Sequence, residues 1–376
     1  MLRDASGCVA RTADPSSPDL LALLARAQDP FAGLAPDGRA ALLASAARHG
    51  LLAVFVGRLP PNDPDLRTAF QRFAAGARLR DARVRAVLEE VLGALGAVGI
   101  APIALKGPAL ADRLLSEPAL RPATDLDLLV SEEELSRATD ALVAAGFRRA
   151  APLQDAYQRA EHHHLHLRRD PGPDVELHFR AVSAFGAAIP TAELRARAVP
   201  HRTARGTPLL VLAPEDELIT LAVHAAAHLF ERGGWLLDLA LLVERSPGLD
   251  WAEVLARAAR WRCRRAVSYT LRRLRSMGVP VPDELTLSLG PTRLRLADRL
   301  ARAALTRTGR TAGVLRMGFR EALRDRLRDT PGQLLTEAAW VVRRRTHLLA
   351  RRLTNMRAGR GDVGPPTTSP KPSDRG

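Results

Sequence analysis

The 376-residue sequence has little cysteine, lysine or aromatic content. Its two cysteines, Cys8 and Cys263, lie far apart and form neither a CxxC metal pair nor a disulfide framework. Aromatic residues make up 4% of the chain, and the longest apolar run, residues 218–230, contains two histidines and is too short to cross a bilayer. The first twenty residues contain no apolar segment of the kind found in signal peptides. These absences predict a soluble protein of the reducing cytoplasm with no membrane partner.

Arginine supplies nearly all the positive charge, and the excess lies near the C-terminus. Residues 291–360 carry 18 arginines and 5 acidic residues, whereas residues 1–290 have a net charge of only +2. A basic helix face can hold phosphates or acidic partners. Nucleic acid is the less favoured partner for this segment, because aromatic side chains do not interleave with its arginines as stacking platforms would.

Hydrophobic periodicity predicts an α/β (α+β) fold with a mixed sheet wrapped by helices at both ends. Residues 251–277 have the pattern of one continuous helix. The predicted parts are an N-terminal helical layer (1–87), an α/β core (88–213), a C-terminal helical layer (214–290), a basic helical extension (291–356) and a disordered tail (357–376).

The core segment has clear boundary signals. Residues 100–107 and 125–130 are predicted to be short buried strands, with a helix over residues 108–116 between them. Ser131 and Glu134 form a capping box at the start of the next helix. Three further strands are predicted at HHHLHLRR, PDVELHFRAV and TPLLVLA, the first two being joined by the turn DPGPD.

Acidic residues alternate with apolar ones on two of these strands. Asp125 and Asp127 are two residues apart, so both side chains point to one face while Leu126 and Leu128 point into the core. Adjacent carboxylates repel unless a cation lies between them, and oxygen ligands suit Mg²⁺ or Mn²⁺. If the strand of Glu176 lies beside the first, the three carboxylates predict a two-metal centre that aligns an attacking oxygen and stabilises a departing pyrophosphate.

A lysine and a glycine precede the helix at residue 108. Lys106 is one of only two lysines in the chain, and the other, Lys371, lies in the tail. Gly107 allows backbone N–H groups to approach an anion, and the positive end of the helix dipole points to the same place. The segment therefore predicts a phosphate-binding site.

Histidines form two groups: His162, His163, His164 and His166 on one strand, and His224 and His228 on a later helix. Either group could chelate a cation, but no second ligand set is spaced to close a zinc site. We therefore expect the first group to flank the cleft at the carboxylates or cover the sheet. Trp235 and Asp238 are interpreted as structural.

Five segments in order, LKG, LRPATDLDLLV, VELHF, HAAAHLF and WLLDLALLVE, resemble the uncharacterised nucleotidyltransferase family. This family belongs to the polymerase-β-type nucleotidyltransferase superfamily, and some members occur in gene clusters for lasso peptides and other natural products. The resemblance covers roughly residues 20–244. It implies a nucleotidyltransferase fold with Asp125, Asp127 and Glu176 as the metal ligands and catalytic residues. It also implies that the second histidine group packs against the sheet or lines the substrate pocket.

The resemblance also assigns Lys106 and Gly107 to the segment that holds the nucleotide phosphates. Many members of the wider superfamily have Gly-Ser at this turn, and the serine hydroxyl contacts a phosphate. Here Pro108 follows the glycine, so phosphate binding is expected to depend on Lys106 and Arg121.

The predicted activity is Mg²⁺- or Mn²⁺-dependent transfer of a nucleoside monophosphate from an NTP, with ATP expected, to an unidentified small-molecule, peptide or protein acceptor. Pyrophosphate would be released, and the resemblance suggests a role in peptide natural-product biosynthesis. Two alternatives stay open. One is an inactive nucleotide- or partner-binding protein of the same fold, and the other is an RNA-directed enzyme that uses the basic C-terminal helices.

Overall fold

The structure, a computed structural model, describes residues 30–149 and 163–286 together with Leu327 and Asp329. Predictions for residues 1–29, for His162, for most of the basic extension and for the whole tail lie outside these residues. Within the described ranges, no helix combines the length and the hydropathy that a membrane span needs.

Within the described residues, two helices precede the sheet. Helix α1 (Pro36–His49) ends at Gly50, whose φ of +72° is in the left-handed region, and a 3₁₀ turn follows at Leu52–Phe55. Helix α2 (Pro64–Ala97) begins where the Asp63 carboxylate accepts a hydrogen bond from a backbone N–H of its first turn. These helices lie in the segment predicted as the N-terminal layer, and α2 continues past its predicted boundary at residue 87.

Seven strands form one mixed sheet in the order β3-β4-β5-β2-β1-β7-β6. Strands β2 and β5 run parallel, β4 and β5 antiparallel, and β1 pairs with β2 on one side and with β7 on the other. The mixed α/β architecture confirms the predicted fold class. The strands are β1 (Ile103–Ala104), β2 (Asp125–Leu129), β3 (Arg148–Arg149), β4 (His164–Arg168), β5 (Asp174–His178), β6 (Val199–Arg202) and β7 (Pro208–Val211).

Helices connect and follow the strands. The predicted capping box is present: the Ser131 hydroxyl accepts the N–H of Glu134, and the Glu134 carboxylate accepts the N–H of Ser131. Short 3₁₀ turns occur at Pro118–Leu120 and Asp283–Thr286. The helices are α3 (Pro108–Leu114), α4 (Leu135–Ala144), α5 (Thr191–Arg197), α6 (Pro214–Ala227), α7 (Gly233–Arg245), α8 (Trp251–Arg260) and α9 (Arg264–Ser276).

The prediction of one continuous helix over residues 251–277 is wrong, because the chain breaks between α8 and α9. Arg262 adopts a φ of +58° at the break. The Asp329 carboxylate then caps α9 by accepting hydrogen bonds from the backbone N–H groups of Arg264 and Arg265, at 2.8 and 2.7 Å. Neither glycine nor proline marks the break, and the capping residue is distant in sequence, so the local pattern does not reveal it.

The two faces of the sheet pack on different helices. Leu126 and Leu128 of β2 are buried with Val175 and Leu177 of β5 in a core shared with α2 and α4. Leu129 points the other way and joins the core formed with α6 to α9. The acidic residues of β2 and β5 therefore lie on the face that α6 to α9 cover in part.

Candidate active site

The three predicted carboxylates lie together on this face of the sheet. Asp125 and Asp127 belong to β2, and the parallel register places Asp127 opposite Glu176 of β5. Directly opposed residues of paired strands point to the same face. Asp127 is 2% exposed, whereas Asp125 and Glu176 are half-buried. We call the partly covered face around these three carboxylates the cleft. The structure thus brings together the residues that the alternating pattern selected, and their roles stay predictions.

Lys106 follows β1 and points into the same cleft. Its Nζ lies 3.1 Å from Oδ1 of Asp127 and 3.9 Å from Oδ2 of Asp125. Burial by itself lowers the pKa of Lys106, but the negative charges of Asp127, Asp125 and Glu176 outweigh it and hold the pKa above its ordinary value. Lys106 is therefore a charged side chain within reach of any anion that binds between the carboxylates.

The two aspartates differ in their electrostatics. Burial raises the pKa of Asp127, but Lys106 and His178 outweigh burial and bring it below the ordinary value. Burial and repulsion by Asp127 raise the pKa of Asp125, and Lys106 offsets these effects only in part. Oδ2 of Asp127 is buried without a hydrogen-bond partner in the described part of the chain. This carboxylate pair therefore has unused capacity for a cation.

His178 orients two of the carboxylates. Its Nε2 lies 3.1 Å from Oδ1 of Asp127 and 3.5 Å from Oε2 of Glu176, and its Nδ1 lies 3.4 Å from the carbonyl oxygen of Arg180. Burial lowers the pKa of His178, but its hydrogen bonds to the two carboxylates raise it above the ordinary value. Its contact with Asp127 was missed at the sequence level, although its position two residues after Glu176 placed it on the correct face.

The turn at Gly107 needs glycine. Its φ of +78° and ψ of −142° lie in a region that side chains with a Cβ rarely adopt, and a Cβ built there would lie 3.6 Å from the Cβ of Ala123. The backbone at this turn approaches β2 closely. Helix α3, which follows, has only seven residues, so Lys106 is the main positive charge that this segment brings to the cleft.

Replacing Gly107 with alanine is expected to lower the free energy of unfolding by about 1–3 kcal/mol, because alanine is strained in this backbone conformation. The measurement is equilibrium unfolding in denaturant. Gly93→Ala is a matched control: Gly93 is exposed on α2, and a Cβ there meets nothing within 4 Å. The free energy of unfolding of the control should rise by up to about 1 kcal/mol, because alanine favours a helix interior more than glycine does. A similar gain in Gly107→Ala would contradict the assigned turn.

Arg121, the second predicted phosphate ligand, forms an ion pair with an acidic residue of α7. Its guanidinium forms a hydrogen-bonded ion pair with Asp238, which is 2% exposed. Burial raises the pKa of Asp238, and Arg121 counteracts this shift only in part. The pair ties the turn before β2 to α7. A contact between Arg121 and phosphate stays a prediction.

The second histidine group forms an aromatic cluster with Trp235. The ring centroids of His224 and His228 lie 5.0 and 5.3 Å from that of Trp235. Burial, and then the positive charge of Lys106, lower the pKa of His224, which keeps its ring neutral. Helices α6 and α7 therefore bring an aromatic surface near the charged cleft.

A family model described as uncharacterised nucleotidyltransferase matches residues 37–278. No curated protein matches the chain significantly. The matched range spans more than half of the sequence and contains the carboxylates, Lys106 and His178, which confirms the resemblance seen in the motifs. The chain belongs to the uncharacterised nucleotidyltransferase family.

Proposed function

We propose that this protein transfers a nucleoside monophosphate from an NTP, with ATP expected, to an acceptor and releases pyrophosphate. Family membership supports nucleotidyl transfer as the general activity. The observation that carries the proposal is the convergence of Asp125, Asp127 and Glu176 on one sheet face, with the ammonium of Lys106 3.1 Å from Asp127. We place the acceptor among small molecules, peptides and proteins, with natural-product peptides as the context that the family resemblance suggests.

The donor set fits a divalent cation. Three carboxylates face one cleft, and Asp127 has a buried oxygen without a partner among the described residues. Asp125 also lacks full charge compensation. Asp125, Asp127 and Glu176 would hold Mg²⁺ or Mn²⁺, which when bound neutralises charge on the phosphates and aligns the attacking oxygen with the α-phosphorus.

The remaining residues position groups rather than transfer protons. Lys106 is shared between two aspartates and can exchange part of that contact for a phosphate oxygen. His178 holds Asp127 and Glu176 in fixed orientations and is therefore a positioning residue. Catalysis of this kind depends mainly on orientation and on compensation of developing charge, so the three carboxylates matter more than any residue that accepts the proton of the acceptor.

A second candidate function is nucleotide binding without turnover. Lys106 and His178 both pair with Oδ1 of Asp127, so the buried carboxylate is partly neutralised without any metal. A protein that keeps this arrangement when nucleotide binds would act as a sensor or partner. Metal-dependent product formation separates this candidate from the enzyme.

The enzyme proposal predicts that Mg²⁺ and an NTP together stabilise the full chain. At a free nucleotide concentration of about 100 times Kd, the gain in unfolding free energy is roughly 2.7 kcal/mol. Thermal melts with each of the four NTPs, with and without Mg²⁺, measure the gain, and pyrophosphate release with acceptor mixtures measures turnover. Excess EDTA should abolish both effects.

Stabilisation without pyrophosphate release for any acceptor class would favour the binding protein. If no NTP changes the melting temperature in the presence of Mg²⁺ or Mn²⁺, both candidate functions are contradicted. Asp125→Asn serves as the matched variant, because Asp125 is only half-buried and its loss removes a predicted metal ligand while the apolar core stays intact.

A further inference from the structure

Two histidines beside the carboxylates have no role in nucleotidyl transfer as proposed above. Strands β4 and β5 are antiparallel neighbours, with His164 opposite His178 and His166 opposite Glu176. Leu165 and Leu167 of β4 are buried in the core on the opposite face. The alternate residues His164 and His166 therefore share the face of the active site. Four polar side chains from two strands therefore lie side by side at the edge of the cleft.

The distances between these side chains suit metal ligation. Nε2 of His164 lies 4.0 Å from Oε2 of Glu176, and Nδ1 of His166 lies 3.7 Å from Oε1 of the same residue. The two histidine Nε2 atoms are 2.8 Å apart. Ligand atoms from the three residues lie within 4.8 Å of one another. Zinc bonds of about 2.1 Å require ligand atoms roughly 3–4 Å apart, so small side-chain rotations would complete the geometry.

We propose that His164, His166 and Glu176 bind a divalent transition-metal ion of the Zn²⁺ class, with Glu176 shared between this site and the oxygen-ligand site proposed above for Mg²⁺. Imidazole nitrogens favour Zn²⁺ over Mg²⁺, which prefers oxygen. Three protein ligands leave a coordination position open, as in catalytic rather than structural zinc sites. The side chain of His166 is 42% exposed, so the ion and a further ligand can enter from solvent.

The neighbouring histidines form a less suitable set. His163, His164 and His178 also lie within ligand distance of one another. However, His178 uses Nε2 for Asp127 and Nδ1 for a backbone carbonyl oxygen. Ligation by Nε2 of His178 would break its contact with Asp127, and this set of three histidines lacks a carboxylate to offset the charge of the ion. The set with His164, His166 and Glu176 leaves both contacts of His178 in place and gives up only the contact between the two histidine Nε2 atoms.

The test is titration of the full chain with Zn²⁺ in excess Mg²⁺, using a chromophoric chelator as competitor. We expect one Zn²⁺ per chain, and we expect His164→Asn and His166→Asn each to weaken binding by roughly tenfold or more. His201→Asn is the matched control, because His201 lies on β6 at the far edge of the same sheet. Co²⁺ in place of Zn²⁺ should give visible absorption bands that fall in the same two variants.

Two variants distinguish failure of the Zn²⁺ proposal from failure of the proposed transferase activity. Asp125→Asn should lose nucleotide-dependent stabilisation in Mg²⁺ and keep the Zn²⁺ affinity of the wild type. Because His166 is partly exposed, His166→Asn should keep the thermal melt of the wild type and report binding alone. Wild-type Zn²⁺ affinity in both histidine variants, or complete displacement of Zn²⁺ by Mg²⁺, would overturn the proposal.

Discussion

Asp127→Asn is expected to reduce nucleotidyl transfer by about 10²- to 10³-fold and also to destabilise the fold. Asparagine keeps the shape of the side chain but removes the negative charge that pairs with the partly buried ammonium of Lys106 and with the buried imidazole of His178. Removing one partner of a buried ion pair costs roughly 3–5 kcal/mol. The lower end of this range is expected here, because Lys106 keeps its contact with Asp125. Pyrophosphate release and denaturant unfolding measure the two effects.

The neighbouring aspartate should respond differently. From the sequence alone, replacing either aspartate with asparagine is expected to leave stability almost unchanged. In the structure Asp125 is half-buried, and burial and then repulsion by Asp127 raise its pKa. Asp125→Asn relieves that repulsion, so the free energy of unfolding should stay level or rise slightly while activity falls. Asp140→Asn, exposed on α4, is the control for both variants. Equal stability of the Asp125 and Asp127 variants would refute the assigned pairing.

Arg121→Met should produce the second large effect, a loss of roughly 3–5 kcal/mol in the free energy of unfolding. The substitution leaves Asp238 buried in α7 without its guanidinium partner. Burial already raises the pKa of Asp238, and the variant should raise it further, so the folded state binds a proton more tightly than the unfolded state. Stability is then lost as the pH rises, and the deficit should be larger at about pH 8 than at about pH 5.

A double variant tests whether the role of Arg121 is structural. Replacing the pair with Arg121→Met and Asp238→Leu should recover much of the stability, because no buried charge remains unpaired. If Arg121 also contacts the nucleotide, NTP affinity will stay low in the stable double variant. Wild-type stability of Arg121→Met alone would be inconsistent with the ion pair.

Local patterns were sufficient to predict the strands that carry the carboxylates. Alternation placed Asp125 and Asp127 on one face, and the capping box at Ser131 and Glu134 has the predicted hydrogen bonds. Such patterns depend on residues within a few positions of one another, where backbone geometry alone fixes the arrangement. Local patterns do not determine that β2 and β5 are neighbours, and the structure shows that they are.

The remaining features depend on pairing between distant segments. The proximity of His166 to Glu176 follows from the register of β4 on β5, which the sequence of either strand does not encode alone. The partner of Arg121 lies on a helix more than a hundred residues later. The break before α9 is capped by Asp329. In each case a side chain from another element decides the outcome.

The order of the strands has a consequence for synthesis on the ribosome. Strand β1 lies beside β7 in the finished sheet, with Ile103 paired to Leu210, so its second neighbour is translated roughly a hundred residues later. Until then the backbone groups on one side of β1 are unpaired in the nascent chain. Arg113 likewise lacks Glu217, the buried acid with which it forms an ion pair in the folded protein. Open strand edges recruit other chains. Fragments translated from mRNA that ends before the codon for Pro208 should therefore aggregate. Ribosome-associated chaperones are expected to bind the nascent chain until α6 has left the ribosome.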